Sequence, residues 1–428
     1  MKSDGYFWKI GEPPPILHVH SLAKHEILRA YLVRYVNVLA AGMHTERLRL
    51  TLVDGFSGGG LYRHEMTGQE ISGSPLIFLE ATREAEAEVC LRRQQVHGKS
   101  FVLDAHYLFV ESEQQTRDYL QHLLMERGYR DSLGDKIHLF DGTFANRASE
   151  IIQFIQKKGQ ARRSIFLLDQ YGYKDVPFGL LQQIFSTLEG AEVILTFAVD
   201  ALCDYIGNNK QSARLMKDID LDDEIDLRDF AKIKGASDRR FFIQSRLSPA
   251  MQKKSGAQFF TPFFIVSRES NREYWLIHLS NHVRARDEMT KLHWELNNYF
   301  RHNGGAGLNM FGYDPKKDDA LTGQEGFKDF HFDDEARKRT STQLRSDIPE
   351  VLIKHPHGIT LNELVRTTVN TTPAYIKFYQ DTCDELLLEK DIVVRGADGS
   401  QRRKGNRIKG DDIITVAPAP TLWFRKGR

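Results

Sequence analysis

The chain has 428 residues, 41% of them hydrophobic, and a formal net charge of +1. That length can bury a large core and exceeds one ordinary domain, while the near-neutral charge excludes nucleic-acid attraction by the field of the whole molecule and leaves only local patches for it. Cys90, Cys203 and Cys383 stand far apart without zinc spacing, and no apolar run approaches the roughly twenty residues of a membrane span; this argues against a disulfide framework, a structural metal or a membrane, and a cytoplasmic protein is expected.

Pro13, Pro14 and Pro15 hold an extended stretch. After it, residues 20–41 repeat Leu22, Ile27, Leu28, Tyr31, Leu32, Tyr35, Val36 and Leu39 near the helical period, which predicts an amphipathic packing helix within an N-terminal extension, 1–45. Residues 48–60, LRLTLVDGFSGGG, are the most informative segment: an apolar strand delivers Asp54, and Gly55, Phe56, Gly58, Gly59 and Gly60 follow in a loop whose backbone must approach something closely. The spacing is neither the dinucleotide G-x-G-x-x-G nor a P-loop, which leaves S-adenosylmethionine as the favoured cofactor.

Ser74-Pro75 reads as a helix start, with Ser74 as N-cap, leading into 76–95. Strands are predicted at 105–110, 136–140, 164–168 and 192–198, with helices at 115–127, 148–157 and 178–188 between them. Strand alternating with helix indicates a parallel sheet with right-handed crossovers. A polar stretch near 201–250 reads as a helical insertion, and 259–266 with 274–279 as an antiparallel hairpin, before a helix over 284–302. A terminal antiparallel hairpin suits the methyltransferase version of the doubly wound Rossmann-like fold rather than a dehydrogenase, so 46–310 is read as a methyltransferase-like α/β domain.

The remainder changes style. Helices at 340–354, 360–367 and 371–389 precede short strands at 392–395 and 413–416, a winged helix-turn-helix pattern assigned to 335–428. The intervening loop carries Arg402, Arg403, Lys404, Arg407 and Lys409, a basic wing suited to the phosphates of nucleic acid.

Asp54, Glu111, Asp141 and Asp169 each follow an apolar strand, so all four converge on one edge of a parallel sheet. Asp54 and the glycine loop are expected to receive the amino-acid part of the cofactor and Glu111 its ribose hydroxyls, with Asp141 facing the adenine amine and Phe144 packing on the ring. Asp169, Tyr171 and Tyr173 are left for the methyl acceptor as the candidate catalytic residues. The 57 residues from Asp54 to Glu111, against about 20 in a compact βαβ unit, require an insertion over 61–73.

DGFSGGG at 54–60, GSPLIFLEA at 73–81, FVES at 109–112 and LLDQYGYKDVPF at 167–178 resemble the three-Cys-motif partner family of prokaryotic proteins, over roughly residues 5 to 310. The resemblance implies a class I methyltransferase-like fold, a partner protein of the three-Cys-motif, radical S-adenosylmethionine type, and a setting in bacterial defence or mobile elements. Amino-methyltransferases of nucleic acid carry two prolines and an aromatic after the fourth strand, where this chain has Asp169-Gln170-Tyr171-Gly172. The missing prolines favour a rival reading, a catalytically silent adaptor subunit. A nuclease is the remaining alternative, without a recognisable metal-binding pattern.

Overall fold

A computed structural model describes residues 6–17, 19–158, 163–170, 172, 174–199, 210–224, 236–266, 273–296, 300–302, 306–308, 310, 330–402 and 407–418. The chain divides into two units, Met1–Asn303 and Gly304–Arg428.

In the first unit, helix α1 (Val19–Leu39) precedes strand β1 (Arg47–Asp54). A small hairpin, β2 (Leu61–Arg63) and β3 (Glu70–Ser72), fills the insertion that the Asp54 to Glu111 spacing requires. Alternation then runs α2 (Ser74–Gln95), β4 (Val102–Glu111), α3 (Gln114–Glu126), β5 (Ile137–Asp141), α4 (Phe144–Lys157), β6 (Ser164–Leu168), α5 (Phe178–Thr187) and β7 (Ala191–Phe197). Helices α6 (Lys210–Asp218) and α7 (Ala236–Ser255) lead to β8 (Phe259–Val266) and β9 (Glu273–Ser280), then α8 (Val283–Glu295) and β10 (Phe300–His302).

The strands order as β10-β8-β9-β7-β6-β1-β4-β5. The pairs β5–β4, β4–β1, β1–β6 and β6–β7 are parallel, and β9 inserts antiparallel between β7 and β8. Reversal of strand order beside β1 creates the crevice at which open α/β sheets bind ligands. The antiparallel β9 gives the Rossmann-like sheet its methyltransferase form, as the hairpin pattern implied. Strands β6 and β7 are buried at every position, as expected of strands covered by helices on both faces.

Several sequence expectations shift: the helices expected at 340–354 and 371–389 begin at Asp334 and Ile376. The Ser74 side chain does not cap: Gly73 is the N-cap of α2, without a side-chain hydrogen bond, and Pro75 lies in the first turn, where its missing N–H costs nothing. Helix α4 starts at Phe144, not 148, because Thr143 caps it by accepting from the Asn146 amide. Helix α8 ends at Glu295, and 300–302 is a strand paired with β8, so the single helix expected over 284–302 is corrected. Of the insertion near 201–250, residues 201–209 and 225–235 lie outside the described set.

The second unit holds helices Asp334–Ile353, Leu361–Thr368 and Ile376–Glu389 and an antiparallel wing of Ile392–Arg395 with Ile413–Val416. Thr360 and Glu363 form a reciprocal capping box that fixes the start of the second helix. This is a winged helix-turn-helix. Among the described residues no helix is long and apolar enough to cross a membrane.

Candidate functional site

Parallel register carries the strand-end carboxylates to one edge. Asp54 pairs with Phe109 on β4 and Leu167 on β6, so Glu111 and Asp169 stand two residues further out on either side, and Asp141 lies opposite Glu111. Asp54 is fully buried. Its Oδ1 accepts from the Phe56 amide at 3.1 Å and its Oδ2 makes no hydrogen bond of good geometry. Burial lifts its pKa from 3.8 to about 7; Asp169 and Glu111 push the same way, while Ser74 and the Phe56 amide oppose it. An orphaned buried acceptor of this kind fits an ammonium group.

Glu111 braces the loop, Oε2 accepting from the Gly58 amide at 3.0 Å and Oε1 from the Glu113 amide at 2.8 Å. A carboxylate has about four lone-pair sites, so acceptor capacity remains for hydroxyl donors. Asp141 is exposed and paired with Arg147, which also donates through Nε to the Asp141 carbonyl at 2.7 Å. Phe144 is 1% exposed, set edge-on to Phe166 and against the space beside Gly55. Stacking on a ligand would require it to leave that packing.

The glycine loop is largely satisfied from within. Gly55 donates to the Leu167 carbonyl at 2.9 Å and Ser57 to the Val110 carbonyl at 3.0 Å, while Phe56 and Gly58 bond to Asp54 and Glu111. Gly58 holds φ +59, and the Trp8 indole lies across it and Gly59, occupying the space a side chain at either position would need. Trp8 Nε1 donates to the Leu61 carbonyl at 2.6 Å, and its ring packs on Tyr6 and Tyr62. Burial above all, and then the nearness of Tyr6 and of Asp169, Asp54 and Glu111, holds the Tyr62 phenol well above its ordinary pKa.

Helix α1 supplies the other wall. Lys24 Nζ donates to both Asp169 oxygens at 2.7 Å, in line with the lowered Asp169 pKa: burial works against the carboxylate, but Lys24 prevails. Next to it, burial and then Lys24 push His25 down to about 4, against the pull of Asp169. The space these residues share with Ser74, Leu167, Thr196 and Leu276 is a cavity of ≈ 20 Å³, about enough for one water. Gln170, in the place of the expected proline, is buried and its Oε1 accepts from the Asp175 and Val176 amides at 3.0 and 3.2 Å, so it staples the loop that follows. Tyr171 and Tyr173 lie outside the described residues, as does Cys203.

Sequence reasoning brought out the carboxylates and missed Trp8, Lys24, His25 and Tyr62. The aromatic run Tyr6-Phe7-Trp8 ahead of the prolines was one available signal; the adjacent Lys24-His25 on a helix otherwise read as packing was another.

On the wing, Arg402 is committed to the fold: its Nε and Nη2 both reach Asp412 at 2.9 Å, and Asp412 is 1% exposed. Arg407 donates to Gln380 at 3.0 Å. The Lys409 amide donates to Asp412 at 2.9 Å. Arg403 and Lys404 lie outside the described residues. The third helix, Ile376–Glu389, exposes Asp381, Asp384, Glu385 and Glu389, of which Asp381 pairs with Lys377 at 2.9 Å and Glu389 and Glu385 with Arg345 at 2.6 and 3.7 Å.

Residues 312–399 match the family described as the GMT-like wHTH domain. No curated protein matches the chain. Solved structures similar to it include protein LPL1258 from Legionella pneumophila (13% identity, 64% of this chain and 91% of that chain, TM-score 0.33) and the putative methyltransferase yhhF from Escherichia coli (12%, 65% and 100%, TM-score 0.26). The N-terminal domain of human METTL16 in complex with SAH is another, at 8% identity over 60% of this chain and 70% of that one, with a TM-score of 0.26. Strand order and direction, rather than these overall likenesses, define the fold.

Proposed function

We propose that the chain is an S-adenosylmethionine-binding, methyltransferase-like protein working on or with nucleic acid, in the setting its sequence resemblance implies: partnership with a three-Cys-motif protein in bacterial defence or mobile-element biology. The observation that carries the cofactor is Asp54, a buried carboxylate whose Oδ2 makes no hydrogen bond of good geometry, at the crevice of a methyltransferase-type sheet and beside a second carboxylate, Glu111. Asp54 would accept from the amino-acid ammonium and Glu111 from the ribose hydroxyls, with Asp141 near the adenine end. The cofactor, when bound, supplies an electrophilic methyl group. Asp169, with Tyr171 and Tyr173 after it, would face the acceptor once released from Lys24. Calorimetry with S-adenosylhomocysteine should show binding on the order of micromolar, abolished in Asp54→Ala; absence of heat with the wild type ends this reading.

One observation favours the rival, a silent adaptor: Trp8 and Lys24 already occupy the glycine loop and Asp169. An adaptor copurifies with its partner and transfers no methyl group to any nucleic acid. Nucleic-acid contact through the second unit is proposed to run through the wing, whose Arg407 and Lys409 are exposed cations suited to phosphate.

A further inference from the structure

We infer that a second ligand site, for a terminal phosphate group, lies at the opposite edge of the α/β sheet among Arg49, His106, Lys157, Lys158 and Arg163. These residues line one cavity of ≈ 270 Å³, the space of about nine waters and so ample for a phosphate group or a pyrophosphate. Arg49 sits five residues before Asp54 on β1, roughly 16 Å down the strand, so the cavity is separate from the cofactor crevice.

Its charge is one-sided. Asp104 is the one acidic residue on the wall, and Arg47 (2.7 Å), Lys136 (2.6 Å) and Arg49 (3.7 Å) already surround it. Among the described residues, no carboxylate pairs with Lys157, Lys158 or Arg163. Lys157 and Lys158 close helix α4, where cations suit the helix dipole. Arg49 lies on β1 and Arg163 just before β6, brought near each other by the β1–β6 pairing, in which the Arg163 carbonyl accepts from the Thr51 amide at 3.0 Å.

The second, independent observation is His106. It is 7% exposed, lines the cavity, and its Nδ1 is buried without a hydrogen-bond partner. An unpartnered buried polar atom is costly, and a phosphate oxygen would satisfy it. The groups around the ring are Asp104 on its own strand, Lys136 and His138 from β5 and the turn before it, and Phe154 and Lys158 from α4. Burial, then Lys158 and Lys136, hold the imidazole down to about 4. A dianion placed there would offset the two lysines and move the His106 titration upward. A concave site ending on a buried imidazole takes the end of a ligand; a continuous phosphodiester backbone would run past it.

The test is a calorimetric titration of the full chain with inorganic pyrophosphate and with a mononucleotide at fixed ionic strength, alongside the same oligonucleotide with a 5′-phosphate or a 5′-hydroxyl. Saturable binding of pyrophosphate is expected, weakened about tenfold in Lys158→Gln and in Arg163→Gln and unaffected by saturating S-adenosylhomocysteine. Lys158 is exposed, so Lys158→Gln keeps the fold, and His106→Asn with an unchanged melting temperature provides the second variant. Mononucleotide binding identifies a small-molecule source; preference for the 5′-phosphorylated oligonucleotide alone identifies a nucleic-acid end, and both uphold the site. Equal binding of the 5′-hydroxyl oligonucleotide, equal displacement by chloride, or variants with wild-type affinity overturn it. The cofactor reading can fail without affecting this outcome, since the two edges are titrated with different ligands.

Discussion

Trp8 lies over Gly59 so closely that no side chain could stand there while the indole keeps its place. The glycines of the loop therefore have a reason internal to the protein as well as one that a ligand would give. If Trp8 covers a cofactor site, Trp8→Ala should raise S-adenosylhomocysteine affinity about tenfold or more, since the competent state no longer competes with a closed one. The same substitution should cost about 3–5 kcal/mol of stability through the lost buried ring. Calorimetry and thermal denaturation on one preparation separate the two effects. Unchanged affinity would mean that Trp8 is a core residue and nothing more.

Asp54 gives a pH dependence whose sign follows from its raised pKa. The folded protein keeps a proton that the unfolded chain loses above about pH 4, so folding takes one up, and stability falls as pH rises from about 4 to about 7 before levelling. The span from 3.8 to about 7 corresponds to at most ~4 kcal/mol. Asp54→Asn should flatten this slope in denaturant unfolding measured at several pH values. An ammonium group bound against Asp54 favours the carboxylate, so ligand binding below pH 7 should release a proton. Binding enthalpies that do not vary with the ionisation enthalpy of the buffer would contradict that contact.

Lys24 and Asp169 are held together across 145 residues of sequence by a two-oxygen contact on side chains 15% and 32% exposed. A double-mutant cycle with Lys24→Met and Asp169→Asn should give a coupling of ~1–2 kcal/mol, below that of a fully buried pair because solvent reaches the carboxylate. Asp169 titrates below its ordinary value, so this contribution is present at neutral pH and is lost as pH falls through the acid range. A coupling near zero would leave Asp169 free to meet a substrate without displacing the lysine.

The sheet was legible because its signal is local. A buried parallel strand such as SIFLL at 164–168 must be apolar throughout, and a carboxylate after each strand is a repeating pattern that any parallel register carries to one edge. What covers that edge was not legible. Lys24 on an amphipathic helix reads as a solvated charge, and nothing within a few residues of Trp8 or Gly59 says that they meet 51 positions apart. Gln170 is the intermediate case: the missing proline was visible, but the two amides its side chain holds belong to a turn whose shape appears only in three dimensions.

On the wing, sequence counts five cations between 402 and 409, whereas geometry divides them by role. Arg402 neutralises the nearly inaccessible Asp412, so Arg402→Ala should lower the melting temperature of the winged unit by leaving that carboxylate uncompensated. Its effect on nucleic-acid affinity should follow unfolding of the winged unit and disappear at temperatures where the unit is intact. Lys409→Ala, whose side chain carries no such structural contact among the described residues, should leave stability within ~0.5 kcal/mol and reduce the salt slope of nucleic-acid binding by about 1. Wing cations that meet only phosphates predict little discrimination between sequences, since phosphate contacts carry no base information. Fluorescence anisotropy over a salt series with two unrelated duplexes measures both quantities. A strong preference for one duplex would show that the helix, not the wing, enters the groove.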